Sequence, residues 1–329
     1  MPRMITAHEL RGALLDRGQL LARGWSDRGI RAAVESTRLH HVRRGAFIDG
    51  ALWGELWAEG RHLARMIAVD RHAQGDPPVF AGLSAAVAHG LPLYRVEPAK
   101  VHVLVGAAER RSSSDVHRHE GALPEADVCV AQGLACTTPE RTVYDVARLE
   151  RPEVALPIAD AALRQVALAG TEYSEARAAD WLQGLHARIG RGVGARGIRR
   201  LRMIADLVDG RAQLPGESVS RLQLHRLGFA RPRLQVAVVG PGGRRYYVDF
   251  ALDDVDAFGE YDGKGKYLDP DLRSGLTTEE VLLAEKERED WIRGTTGRAL
   301  LRWGAEHIRS PELLGERLRR FGIVPPLAR

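Results

Sequence analysis

The sequence predicts a mixed α/β chain, α+β overall, in three parts: residues 1–50, 51–190 and 195–329. Three observations carry this expectation. Apolar residues recur at helical spacing in some stretches and alternate in others, so both periods are present. A Gly/Arg-rich stretch, Gly192-Val193-Gly194-Ala195-Arg196-Gly197, marks a boundary before the last part. At 329 residues, 44% of them hydrophobic and 28% charged, the chain has material for more than one core.

Residues 1–50 read as helix, turn, helix and basic hairpin. One helix runs from about Ala7 to Asp16 and a second short one follows. Gly24 breaks the chain, and Ser26 and Asp27 offer N-cap chemistry for a helix through Ser36. Ile30 and Val34 form its apolar face, with Arg28 and Arg31 lying elsewhere. Arg38 to Ile48 reads as two short strands turning near Arg44-Gly45. This is the order of a winged helix-turn-helix, whose second helix enters a major groove while the hairpin touches backbone phosphate. The segment holds nine Arg against five acids. Arg28, Arg31, Arg38, Arg43 and Arg44 are therefore candidate contacts to double-stranded DNA. A small capping domain with a solvated arginine face is the alternative.

Residues 51–190 read as scaffold. Leu52 to Arg71 is helical and Val101 to Val105 a strand. Thr138-Pro139 is a strong helix start, since threonine caps and proline loses nothing in the first turn. His117 and His119 alternate on one strand face. The sequence offers no obvious third ligand, so they read as two exposed histidines. The glycine-rich stretch matches G-x-G-x-x-G, but no apolar strand precedes it, as dinucleotide binding requires. It reads as a linker opening a helix.

Residues 212–329 follow the order α-β-β-β-α-β-α. Glu217 to Leu227 is a helix ended by Gly228. Leu234 to Val239, Arg244 to Leu252 and Val255 to Asp262 are strands. Thr277-Thr278-Glu279-Glu280 opens a helix to about Ile292 with a capping box. Arg298 to Trp303 is a strand, and Pro311 to Arg320 the last helix. If Leu252 opposes Val255, Asp249 faces Phe258 and Glu260 is its diagonal neighbour on one face. Asp262 is one step further along. Carboxylates so placed repel unless a cation sits between them, and oxygen-only ligands favour Mg²⁺ or Mn²⁺. Asp249 and Glu260 are the candidate metal ligands, and Glu217 on the preceding helix is a further acid. Only four residues of the chain are lysines, and Lys264 and Lys266 follow this strand directly. A lysine there stabilises charge developing on a phosphoryl oxygen. Spacing alone is equally compatible with a solvated, salt-bridged hairpin end.

The residues Glu217-Ser218, Arg221, Tyr247-Val248-Asp249-Phe250, Glu260-Tyr261-Asp262-Gly263, Lys266-Tyr267 and Glu285-Lys286-Glu287-Arg288 resemble the very-short-patch-repair branch of the PD-(D/E)XK nuclease superfamily. The resemblance implies a restriction-endonuclease-like αβββαβ domain with Asp249 and Glu260 holding the metal. Asp262 stands where the broader pattern has lysine, so Lys266, then Lys264, is the replacement it implies. Lys286 and Arg288 become supporting groups on the next helix, or else part of an exposed charge ladder. The front of the chain, ending Arg43-Arg44-Gly45-Ala46-Phe47, resembles the N-terminal domain of AbiEi antitoxins of type IV toxin–antitoxin systems. The segment Gly133 to Asp145 is similar to the middle of such proteins. That resemblance implies a DNA-binding repressor with a cognate toxin or other protein partner, and does not account for a nuclease-like domain.

The expected function is a DNA-binding, Mg²⁺- or Mn²⁺-dependent endonuclease in phage defence or DNA repair. The alternative is an AbiEi-like antitoxin or repressor whose nuclease-like domain is silent. The net charge of +5 agrees with an anionic partner. The first thirty residues carry charge throughout, which excludes a signal peptide. Val79 to Tyr94 is too short and broken to span a membrane. Cys129 and Cys136 lack C-x-x-C spacing, so no disulfide framework or cysteine zinc site is expected, and a reduced cytoplasmic setting fits.

Overall fold

A computed structural model describes residues 5–106, 113–263 and 278–328 of the chain, without the side chains of 278, 281, 282 and 328. It is a mixed α/β protein in two units. The first comprises Met1–Ile158 and Trp181–Leu201, the second Ala159–Asp180 and Arg202–Arg329.

The first unit opens with α1 (Ala7–Ala13), capped by Thr6 and Glu9. The helix expected to reach Asp16 stops at Ala13, because Leu15–Asp16 pairs as strand β1 and the Asp16 carboxylate caps α2 (Arg17–Ala22). A residue spent as a cap cannot continue the preceding helix. Ser26 caps α3 (Asp27–Glu35). Strands β2 (Leu39–Arg43) and β3 (Ala46–Asp49) turn at Gly45, whose φ of 78° suits glycine. The small sheet has the order β1-β3-β2, over a core of Leu20, Ile30, Ala33 and Leu39.

The stretch read as one helix from Leu52 to Arg71 is two, α4 (Gly50–Glu55) and α5 (Ala58–Arg71), broken at the extended residues Leu56 and Trp57. Then come β4 (Val79–Phe80), α6 (Gly82–Ala88), β5 (Val101–Val105), β6 (Val116–Glu120), β7 (Val128–Ala131), β8 (Leu134–Thr137) and α7 (Pro139–Leu149), the last capped by Thr138 as expected. These strands form a sheet of order β6-β5-β4-β8-β7, in which β5 and β6 run parallel.

The division between the units falls inside α8 (Pro152–Ala167), α9 (Glu175–Arg191) and α10 (Ile198–Leu207), with the short hairpin β9 (Leu168–Ala169) and β10 (Glu172–Tyr173) between the first two. Residues 159–180 thus join the second unit, whereas the sequence reading assigned them to the middle part. This part is tied to the rest of the second unit by a buried ion pair. Asp160 binds Arg221, and its Oδ1 accepts from the Asp209 amide at 2.8 Å.

The second unit continues with α11 (Pro215–Arg226), β11 (Arg233–Val239), β12 (Arg245–Leu252), β13 (Ala257–Asp262), α12 (Thr278–Thr296), β14 (Ala299–Gly304) and α13 (Pro311–Arg319). The sheet order is β11-β12-β13-β14, antiparallel except for the parallel β13–β14 pair. Val238, Val248, Ala251, Phe258, Ile292 and Leu300 form one core cluster. Phe250 and Trp303 stack with ring centroids 5.5 Å apart, and the Trp303 indole donates to Ser220 on α11 at 2.8 Å. Helix α11 is buried along most of its length, so its polar residues are paired inside the unit.

Candidate functional site

The β12–β13 register differs from the expected one. Leu252 opposes Ala257, so residues 253–256 are all turn. Arg233 and Arg298 clamp Asp253 in that turn, and Asp256 takes a φ of 49°. The shift is two residues, an even number, so side chains keep their faces. The backbone ladder runs to Phe250–Gly259. One step on, the Asp249 carboxylate accepts the Tyr261 amide at 2.8 Å. Asp249 therefore lies directly across from Glu260 and not on its diagonal.

Asp249, Glu260 and Asp262 line one cavity of about 250 Å³, together with Tyr247, Tyr261, Glu285, Arg288 and Arg302. Glu260 is gripped from two sides. Arg288 on α12 binds Oε1, and Arg302, its neighbour in the parallel register on β14, lies 3.1 Å from Oε2. Both arginines also reach Glu285, Arg288 at 2.9 Å. Arg288 donates to the Tyr247 carbonyl at 2.7 Å. Its charge thus turns inward and is no part of a solvated ladder. Burial pulls the Arg288 pKa down, but Glu260 and Glu285 outweigh it and the net shift is upward.

Glu217 does not line this cavity and is buried. It accepts from the Gln213 amide at 2.9 Å. Gln235 bridges the two acids at longer range, 3.4 Å to each of Glu217 and Asp249. Gln235 has a φ of 50° inside β11, a left-handed conformation that costs a non-glycine residue about 1–3 kcal/mol and that clusters at functional sites. Lys286 is exposed and does not line the cavity. Lys264 and Lys266 lie outside the described residues.

The sequence reading missed Gln235 and Arg302, and quoted Glu285 within the resemblance without giving it a role. Arg302 carried a signal: it is a lone charge between Leu301 and Trp303 in an apolar strand, and a charge there needs a partner. Gln235 carried none.

In the first unit, Arg28, Arg31, Arg38 and Arg44 are exposed. Arg38 lies over the Trp25 ring, 5.9 Å from its centroid. Arg43 is different. It pairs with Asp115 at 3.0 Å and donates to the Ala68 carbonyl, so its charge is already spent within the unit. Cys129 and Cys136, isolated in sequence, face each other across β7 and β8 with sulfurs 3.8 Å apart and remain free thiols. Among the described residues no helix is long and apolar enough to cross a membrane.

No family model matches the sequence. The uncharacterized proteins Rv2248 and MT2308 of Mycobacterium tuberculosis are each 30% identical to the chain over 225 residues, which is 67% of this chain and 75% of theirs. The chain belongs to the family of these two mycobacterial proteins. A crystal structure of the Rv2827c protein from Mycobacterium tuberculosis is similar at 16% identity and a TM-score of 0.33, over 73% of this chain and 91% of that one.

Proposed function

We propose that the chain is a DNA-binding protein whose second unit is a metal-dependent endonuclease. One observation carries the reading. The cavity at Asp249 and Glu260 is lined by four carboxylates (Asp249, Glu260, Asp262 and Glu285) and two guanidinium groups (Arg288 and Arg302). Its formal charge of −2 is what one divalent cation balances, and the donors are all oxygen, which fits Mg²⁺ or Mn²⁺. Asp249 and Glu260 would hold the ion, which when bound would supply an activated water and charge stabilisation at a phosphodiester. Asp249 is pre-aimed by the Tyr261 amide. Arg288 and Arg302 pair with Glu260 and are placed to meet phosphate oxygens. The αβββαβ order of the second unit supports a restriction-endonuclease-like domain. The order α1-β1-α2-α3-β2-β3 of the first, with arginines exposed on α3 and at the hairpin turn, supports a winged helix on duplex DNA.

The test is cleavage of supercoiled, linear and single-stranded DNA with and without Mn²⁺. Cleavage that needs the metal and disappears in Asp249→Ala is expected. No cleavage of any form, or activity untouched by Asp249→Ala combined with Glu260→Ala, refutes the reading.

One observation favours a second reading. Both Glu260 oxygens are already engaged by arginine. If those contacts do not yield to a metal, the domain is a silent binding module and the chain a repressor of AbiEi-like type, with a toxin as partner. Sequence-specific operator binding that depends on Arg28 and Arg31, without cleavage, identifies that case.

A further inference from the structure

The parallel register of β5 and β6 sets His102 opposite His117, with His119 two residues along the same face. The three imidazoles form a closed group. Ring centroids are 4.3 Å apart for His117 and His119, 4.9 Å for His102 and His119, and 5.4 Å for His102 and His117. One ring nitrogen from each lies within 4.8 Å of the others. The Nε2 of His119 is buried with no hydrogen-bond partner among the described residues. A buried nitrogen left unsatisfied is unfavourable and calls for a ligand.

We propose that His102, His117 and His119 bind one divalent transition-metal ion, Zn²⁺ foremost, with water completing the coordination. Zinc takes imidazole nitrogen at about 2.0–2.1 Å, so the rings need to close by about an ångström, within the reach of side-chain rotation. The backbone behind the site is fixed. The His102 amide donates to the Ser84 hydroxyl at 2.8 Å, and its carbonyl accepts from Ala81 at 3.0 Å. Gly82 leaves the ring its space, since a Cβ there would stand 3.2 Å from His102 Nδ1. β6 is an edge strand of the five-stranded sheet, so the ion would pin that edge to β5.

The other soft-donor cluster, His89 with Cys129 and Cys136, is the weaker candidate. Cys136 is buried, with its sulfur 3.8 Å from Cys129 and 3.7 Å from His89 Nε2. His89 Nε2 also already meets the Thr137 carbonyl at 2.7 Å.

The test uses the untagged 329-residue chain, dialysed against Zn²⁺ and then freed of loose metal, with content read by elemental mass spectrometry. About one equivalent is expected. His102→Ala and His119→Ala should fall to background, and the exposed His117→Ala should bind about 100-fold more weakly or worse. Cys129→Ser with Cys136→Ser, and Asp249→Ala, should keep their zinc. A Co²⁺-loaded chain should show d–d bands without sulfur-to-metal charge transfer. Should His102→Ala fail to fold, His117→Ala at the surface still decides the matter. Absence of bound zinc in the wild type, retention in folded His117→Ala, or loss in the cysteine variant overturns the proposal.

Discussion

Replacing Arg221 by methionine keeps most of the side-chain stem and removes its charge. Arg221 and Asp160 are 1% and 2% exposed, so water cannot take over the role of either. Asp160 also accepts from the Asp209 amide, and Ser218 donates to it. Arg221 reaches the Leu207 carbonyl as well. Breaking a buried pair by deleting one partner costs about 3–5 kcal/mol. For a unit of roughly 150 residues, each kcal/mol moves the midpoint by about 2–4 °C, so a loss of about 6–20 °C is expected. Burial already raises the Asp160 pKa, and removing Arg221 raises it further. A carboxyl whose folded pKa lies above its unfolded value contributes stability below the unfolded value and loses it as pH rises through the folded one. Arg221→Met should therefore be less damaging at pH 5 than at pH 8. Adding Asp160→Asn should restore part of the loss, since the stranded charge is gone. The assay is thermal unfolding at both pH values for the two single variants and the double. A shift under about 2 °C for Arg221→Met, or strict additivity in the double variant, refutes the reasoning.

Three further outcomes are expected. Gly259→Ala places a Cβ 2.2 Å from the buried Trp303 ring and should cost about 1–3 kcal/mol in a urea titration; an unchanged midpoint would show that the ring can move. Arg188, and with it Arg141, holds the Asp127 carboxyl below the usual range against the opposing effect of burial. The stability this gives is present above the unfolded pKa of about 3.9 and is lost as pH falls through the folded one, so Asp127→Asn should lose its penalty in acid. Equal penalties at pH 7 and pH 3 would contradict this. Arg28→Ala with Arg31→Ala should weaken duplex binding and lower the salt slope by about 2, whereas Arg43→Ala should change it little; equal slopes for all three in gel shifts would remove α3 from the interface.

The parts of the chain that were legible were those governed by local chemistry. Ser26, Thr138 and Pro139 announce helix starts because a cap and its first turn lie within four residues. Asp249 and Glu260 could be assigned one face because strand period is two, and an error of two residues in the turn changed their pairing from diagonal to direct but not their face. The illegible parts depend on partners distant in sequence. Nothing near Asp160 points to Arg221. His102 gains meaning only when β5 and β6 pair in parallel, a register that no local turn dictates. Arg302 is conspicuous in its strand, but that it meets Glu260 follows from the β13–β14 crossover.

That crossover bears on how the site could be moved or divided. The two acids sit on adjacent strands of one hairpin, but the charges set against Glu260 come from α12 and β14, 28 and 42 residues further along the chain. A hairpin of β12 and β13 grafted elsewhere would carry Asp249 and Glu260 uncompensated and would repel itself open. The smallest portable piece of this site therefore extends through β14.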